Sequence, residues 1–286
     1  MPRGQAGRAG SGRRPIRLVD LLVLAAMLVL AGIFFLPLLW MLASSFKSNS
    51  DIFSDPFALP RSIDPGRWVT AWQEGNLGRY VLNSVIVSAV SVTAVLVFGS
   101  SAAFAFARYR FPGRTVLMSL LGLGLLLPVQ SYFIAQSQLF TSLALTDTRW
   151  ALIIPYTAMG LPLATYLLTV FQSELPSELF EAAALDGAGD LRMLISITMP
   201  LLRPGLAAVG VFTLLSTWNE FLLALLYISD DNLKTIPTGL LAFSSRYVTD
   251  YSMLFGALSM ITLPMLVIYV VFNRQINDSV AAGSLK

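Results

Sequence analysis

Charge is missing from this sequence over stretches long enough to cross a lipid bilayer. Leu21 to Phe46, Tyr80 to Ala107, Thr115 to Thr146, Trp150 to Ser173 and Tyr251 to Asn273 contain no Asp, Glu, Lys or Arg, and Pro204 to Ser229 contains only Glu220. A hydrocarbon core of about 30 Å takes about 20 apolar residues in a helix, because backbone polar groups inside it must be satisfied internally. The Leu, Val and Ala content of the six stretches favours helix, so an all-α polytopic membrane protein is predicted, with transmembrane helices at about 21–46, 80–107, 115–140, 150–173, 204–229 and 251–273. Only 12% of the residues are charged, against about a quarter in a soluble domain. Neither Cys nor His occurs, which excludes disulfide scaffolds, thiol nucleophiles, Ser-His-Asp triads and metal sites built on imidazole or thiolate.

The first run follows Arg13, Arg14 and Arg17, as a secretory signal would, but signal cores are only about 7 to 15 residues long. It reads instead as a retained anchor helix, and residues 1–17 as a disordered basic tail on the cytoplasmic side. Basic residues near helix ends stay cytoplasmic. With the amino terminus inside, twelve of the 19 Lys and Arg fall on that side and seven on the other. Both termini are therefore predicted to be cytoplasmic, and the loops from Lys47 to Arg79 and Asp230 to Asp250 external. The basic residues are grouped by loop, not spread as a nucleic-acid patch. The first partner of such a chain is membrane lipid.

The loop at 174–203 carries the most specific pattern. Leu175-Pro-Ser-Glu-Leu-Phe-Glu181-Ala-Ala-Ala-Leu-Asp-Gly187 is too polar to span and reads as a short surface helix. Pro176 suits its first turn, Glu178 and Glu181 suit the positive end of its dipole, and Gly187 supplies a left-handed stop. A second short helix is expected after it, capped by Asp190, with Pro200 and Pro204 opening the next span. Ala182, Ala183 and Ala184 keep the first helix slim enough to lie in a groove of another protein.

Glu181-Ala182-Ala183, Gly187, Ile197 and Pro200 stand at the spacing of the EAA motif, and the chain resembles ABC importer permeases of the carbohydrate-uptake, maltose-type branch. Ala105-Phe106-Ala107-Arg108 with Phe111-Pro112-Gly113, Pro128 with Gln130, Gly160-Leu161-Pro162 and Trp218-Asn219-Glu220-Phe221 extend the resemblance from about Leu18 to the carboxyl end. It implies the ABC importer type I permease fold, with 18–286 as the permease domain and 174–203 as the coupling loop. It also implies that the helix docks in a cleft of a cytoplasmic ATPase subunit, with Glu181 as polar anchor, Ala182 and Ala183 permitting close packing, Leu185 and Asp186 at the contact and Gly187 at the bend. Implied partners are a second permease subunit in a heterodimer, an ATPase dimer carrying ATP and Mg, an extracytoplasmic solute-binding protein and a carbohydrate cargo. The chain itself has no GxxxxGK[ST] run to cradle a nucleotide phosphate, so no cofactor and no catalytic residue is assigned to it. The chain departs from the branch at Phe133-Ile134-Ala135-Gln136, where relatives often carry Pro, so a weaker bend is expected there. Its tail Ala281 to Lys286 stops short of the maltose-type end.

Glu220 is a carboxylate inside a predicted span and hence a candidate for function. With Asn219, Gln130, Tyr132, Gln136 and Tyr156 it could line a sugar path, although polar side chains between helices also serve as glue. Gly99, Ser100, Ala103 and Ala107 read as a helix contact. A secondary transporter driven by an ion gradient is the alternative, but no internal repeat is visible. A membrane enzyme would need a cluster of catalytic groups drawn from Asp, Glu, Lys, Ser and Tyr alone.

Overall fold

The computed structural model describes residues 18–243 and 250–284, with side chains as far as residue 271. The basic tail expected at 1–17 lies outside the described residues, as do Leu285 and Lys286 of the carboxyl tail. The described chain is helical, with no strand among its elements. It runs through α1 (Leu18–Ser44), α2 (Asn49–Ser54), α3 (Gly66–Glu74), α4 (Leu77–Arg108), α5 (Arg114–Leu126), α6 (Phe133–Ser142), α7 (Trp150–Ser173), α8 (Ser177–Leu185) and α9 (Asp190–Met193). It continues through α10 (Met199–Leu201), α11 (Arg203–Trp218), α12 (Leu222–Tyr227), α13 (Ile236–Gly239) and α14 (Tyr251–Ser284).

Four helices are single rods long and apolar enough to cross a membrane: α1, α4, α7 and the first 21 residues of α14. They fall on the first, second, fourth and last of the expected spans. The other two expected spans are not single helices. The stretch at 115–140 breaks after Leu126, because Leu127 precedes Pro128 and is held extended at ψ 114°. A proline ring excludes the helical conformation from the residue before it. The chain makes one 3-10 turn, Val129–Ser131, and restarts as α6, so the bend sits at Pro128 without any help from a second proline. The stretch at 204–229 breaks between α11 and α12. There Asn219 closes α11, its Nδ2 donating to the Leu215 carbonyl at 2.8 Å.

The centre of the bundle is the long contact of α4 with α7, with α11 laid against both. Val95 and Ala103 of α4, Ala164 and Leu168 of α7 and Val209 of α11 form one buried cluster. Small residues set this approach. A β-carbon on Gly99 would fall 2.9 Å from the Ala164 β-carbon, and Gly99, Ser100 and Ala103 are all buried, which makes the small-residue stripe a helix contact. Gly99→Val is accordingly expected to destabilise the bundle by about 1–3 kcal/mol through overpacking. The check is its thermal midpoint in detergent, and an unchanged midpoint would refute the close approach.

At the far end of α4 a polar clasp holds the loop after α12. Asn83 is buried, and its Nδ2 donates to the carbonyls of Asn232 at 2.8 Å and Lys234 at 3.0 Å, while Arg149 Nη2 donates to its Oδ1 at 2.9 Å. The Tyr80 hydroxyl bonds Asp231, and Ser84 Oγ accepts the Ile236 amide at 2.9 Å. The Lys234 ammonium bonded to Asp231, joined by the Tyr80 hydroxyl, holds the Asp231 carboxyl below its ordinary range. The 32-residue α4 thus runs about 48 Å from this clasp to the opposite face of the bundle.

Candidate functional site

On that opposite face α4 meets α8, the helix of the patterned loop. Its carboxyl end is a complete Schellman stop: Gly187 stands at φ +76°, and its amide donates to the Ala184 carbonyl at 3.0 Å while the Ala188 amide donates to Ala183 at 2.9 Å. Only glycine takes that backbone conformation freely. Pro176 precedes the helix as its extended cap, and Ser177 is the first helical residue. Asp190 is the first residue of α9 and not its cap, a place taken by Gly189. Beyond it a π-helical turn, Leu194–Thr198, leads through α10 into α11, and the pair Asp190–Leu201 and Arg203–Trp218 meets at 82°. Pro200 and Pro204 sit in the first turns on either side of this elbow.

The helix has two faces. Glu178, Glu181, Ala182, Asp186 and Gly187 are exposed, and Leu185 stands 90% exposed. Among the described residues no hydrogen bond or ion pair takes the Glu181 carboxylate. Ala183 turns the other way, half-buried, onto a cluster of Phe104, Phe180, Met193 and Leu194. Its small size lets α8 approach its own bundle, whereas Ala182 leaves the outer face slim.

Phe180 fixes α8 to the bundle, and reading the sequence assigned it no role. It is 5% exposed, its ring lies 6.4 Å from that of Phe104 at 64°, and the Arg108 guanidinium sits 4.9 Å from its centroid. Edge-on aromatic pairs and cation–π contacts are each worth about 0.5–1.5 kcal/mol beyond burial. Beside it the Asp190 carboxylate acts on the Tyr109 hydroxyl and raises its ionisation above the ordinary range. A signal was present in the sequence. Phe180 is the only aromatic side chain between 174 and 203.

Of the six expected path residues, Tyr156 and Glu220 bond each other, Gln136 bonds Tyr227 from outside the set, and three stand apart. The Tyr156 hydroxyl donates to Glu220 Oε2 at 2.7 Å, and the same carboxylate accepts the amides of Leu223 at 2.9 Å and Ala224 at 3.2 Å. Glu220 therefore caps α12, where unpaired amides and the helix dipole favour an anion. The span breaks here because the carboxylate supplies the bonds that the broken helix loses. Gln136 Oε1 lies 2.9 Å from the Tyr227 hydroxyl. Gln130 and Asn219 are exposed and Tyr132 is half-buried.

The described residues thus form a polytopic helical bundle in which α8 is locked by its inner face and bare on its outer one. The chain belongs to the family of binding-protein-dependent transport system inner membrane components, whose model matches residues 95–277. It is 38% identical to the diacetylchitobiose uptake system permease protein NgcG of Streptomyces coelicolor, across 92% of this chain and 87% of that one. Similarity extends to the melibiose/raffinose/stachyose import permease protein MelC of Bacillus subtilis, 26% identical across 90% and 94% of the two chains. The fold matches a chain of a bacterial ABC transporter involved in the import of the acidic polysaccharide alginate, with TM-score 0.79 at 18% identity over 91% of this chain and 97% of that one. The family and fold are those of an ABC importer permease, a multi-pass membrane subunit and not an enzyme. The alternative of a transporter driven by an ion gradient is set aside.

Proposed function

We propose that this chain forms the translocation path for a carbohydrate, an oligosaccharide or a related polyol, in a heterodimer with a second permease subunit. An ATPase dimer that binds ATP and Mg docks on α8, and an extracytoplasmic solute-binding protein delivers the cargo. Both termini lie on the cytoplasmic side with α8, and the clasped end of α4 faces outward. The observation that carries this reading is the two-faced α8. Phe180 is locked into α4 while Glu181, Ala182, Leu185, Asp186 and Gly187 are left bare for a partner. The relatives named for diacetylchitobiose and for melibiose, raffinose and stachyose support the cargo class. Glu220 and Tyr156 stabilise the broken span beside the path, and Gln130, Tyr132, Gln136 and Asn219 are its polar candidates for sugar hydroxyls.

Energised membrane vesicles test the energy source. Uptake of a bound oligosaccharide is expected to stop when ATP is removed and to survive collapse of the proton and sodium gradients. Persistence without ATP would contradict the assignment of α8 as an ATPase dock.

A further inference from the structure

The loop that joins α1 to α3 exposes large apolar side chains: Phe53 at 67%, Phe57 at 83%, Leu59 at 80% and Ile63 at 73%. An ordinary water-facing loop does not present four of these in eleven residues. One cation beneath the loop turns inward and ties it down. Lys47 is buried with its ammonium donated to the carbonyls of Asp55 and Pro56, both at 3.1 Å, and a small cleft is lined by Lys47, Asp51, Asp55, Arg61 and Arg67, with Leu59 beside them and still 80% exposed.

The position of the loop says what covers the apolar side. Trp40 Nε1 donates to the Pro56 carbonyl at 2.7 Å, and Trp40 lies a full turn inside the end of α1 at Ser44, about 6 Å along the axis. Helical side chains lean toward the amino end of their helix, which for α1 is into the bilayer. The loop therefore folds back to the depth of Trp40 instead of rising away from the membrane. Aromatic rings gather at that level: Trp40 packs edge-on to Phe255 at 5.2 Å, and Phe53 to Tyr251 at 5.2 Å. Such a belt marks a membrane–water boundary, and α1 beside it has none of its spanning window buried by the rest of the chain.

We propose that the 53–63 loop is an interfacial anchor, with Phe57 and Leu59 seated at the acyl–headgroup boundary of the leaflet where α1 ends. Its polar side closes on Lys47 and its apolar side enters lipid, as in an interfacial amphipathic segment. It rests on the chain spanning a bilayer and is independent of the cargo. The absence of cysteine makes the test direct. Phe57→Cys, Leu59→Cys and, on the polar side, Ser62→Cys are spin-labelled in the assembled transporter, in nanodiscs of phosphatidylethanolamine and phosphatidylglycerol. Collisions with molecular oxygen and with a water-soluble nickel chelate are then compared. The ratio of oxygen to nickel accessibility is expected to be severalfold higher at 57 and 59 than at 62. Equal ratios at all three positions would place the loop in water and overturn the proposal. Exclusion of both reagents from 57 and 59 would overturn it too, by showing a protein cover. The readout involves no transport, so either failure leaves the permease assignment standing.

Discussion

Glu181→Arg is expected to strip the ATPase subunits from the purified transporter and to abolish uptake. The carboxylate is exposed in the second turn of α8, with no side-chain partner among the described residues, so the substitution removes nothing that holds this chain together. Its cost within α8 is the adverse placement of a cation toward the amino end of a helix, about 0.3–1 kcal/mol. Against a docked partner the cost is larger. Losing one member of a buried, hydrogen-bonded charge pair costs about 2–5 kcal/mol, and at 1.4 kcal/mol per decade that is roughly 30-fold to several thousand-fold in affinity. Co-purification in mild detergent, with the thermal midpoint measured alongside, separates the two costs. A variant that melts normally and keeps its ATPase would refute the docking role.

Phe180→Ala is expected to act on the other face of the same helix with a different signature. Truncating a buried Phe costs about 3–5 kcal/mol. Here the loss falls on the seam between α8 and α4, since Phe104 and Arg108 are the groups it leaves. The outer face with Glu181 and Leu185 survives, so the ATPase still binds, but its motion is delivered to a loosened helix. Uptake per ATP hydrolysed should fall within the range of a lost coupling energy of about 1–3 kcal/mol, 5- to 150-fold. Phe180→Tyr keeps the ring and should restore most of it. Equal uptake per ATP in Phe180→Ala and the unaltered chain would show that force does not pass through this contact.

What the sequence could not convey is instructive residue by residue. The rods α1, α4, α7 and α14 follow from apolar runs, and the stop at Gly187 follows from local backbone chemistry that needs no distant partner. The break after Leu126 was written in Pro128 but is invisible to a scan for hydrophobic length, which counts side chains and not backbone bonds. The break before α12 depends on Glu220 capping that helix while accepting the Tyr156 hydroxyl, 64 residues away in sequence. A carboxylate within an apolar run suggests function, and only its partners reveal the cap. Asn83 is similar: it lies inside an apolar run, and its bonds reach a loop about 150 residues distant. Phe180 was legible as an aromatic out of place, yet nothing local pointed to Phe104, 76 residues earlier in the chain.

The central claim is that an ATPase grips the outer face of α8, and site-specific cross-linking measures it most directly. With a photoreactive residue at Ala182 or Leu185 in native membranes, the account predicts capture of an ATP-binding subunit, with a yield that changes when ATP is bound or hydrolysed. A control at Leu59, on the opposite face of the bundle, should capture no such subunit. Uptake that continues while neither Ala182 nor Leu185 captures an ATPase would contradict the account.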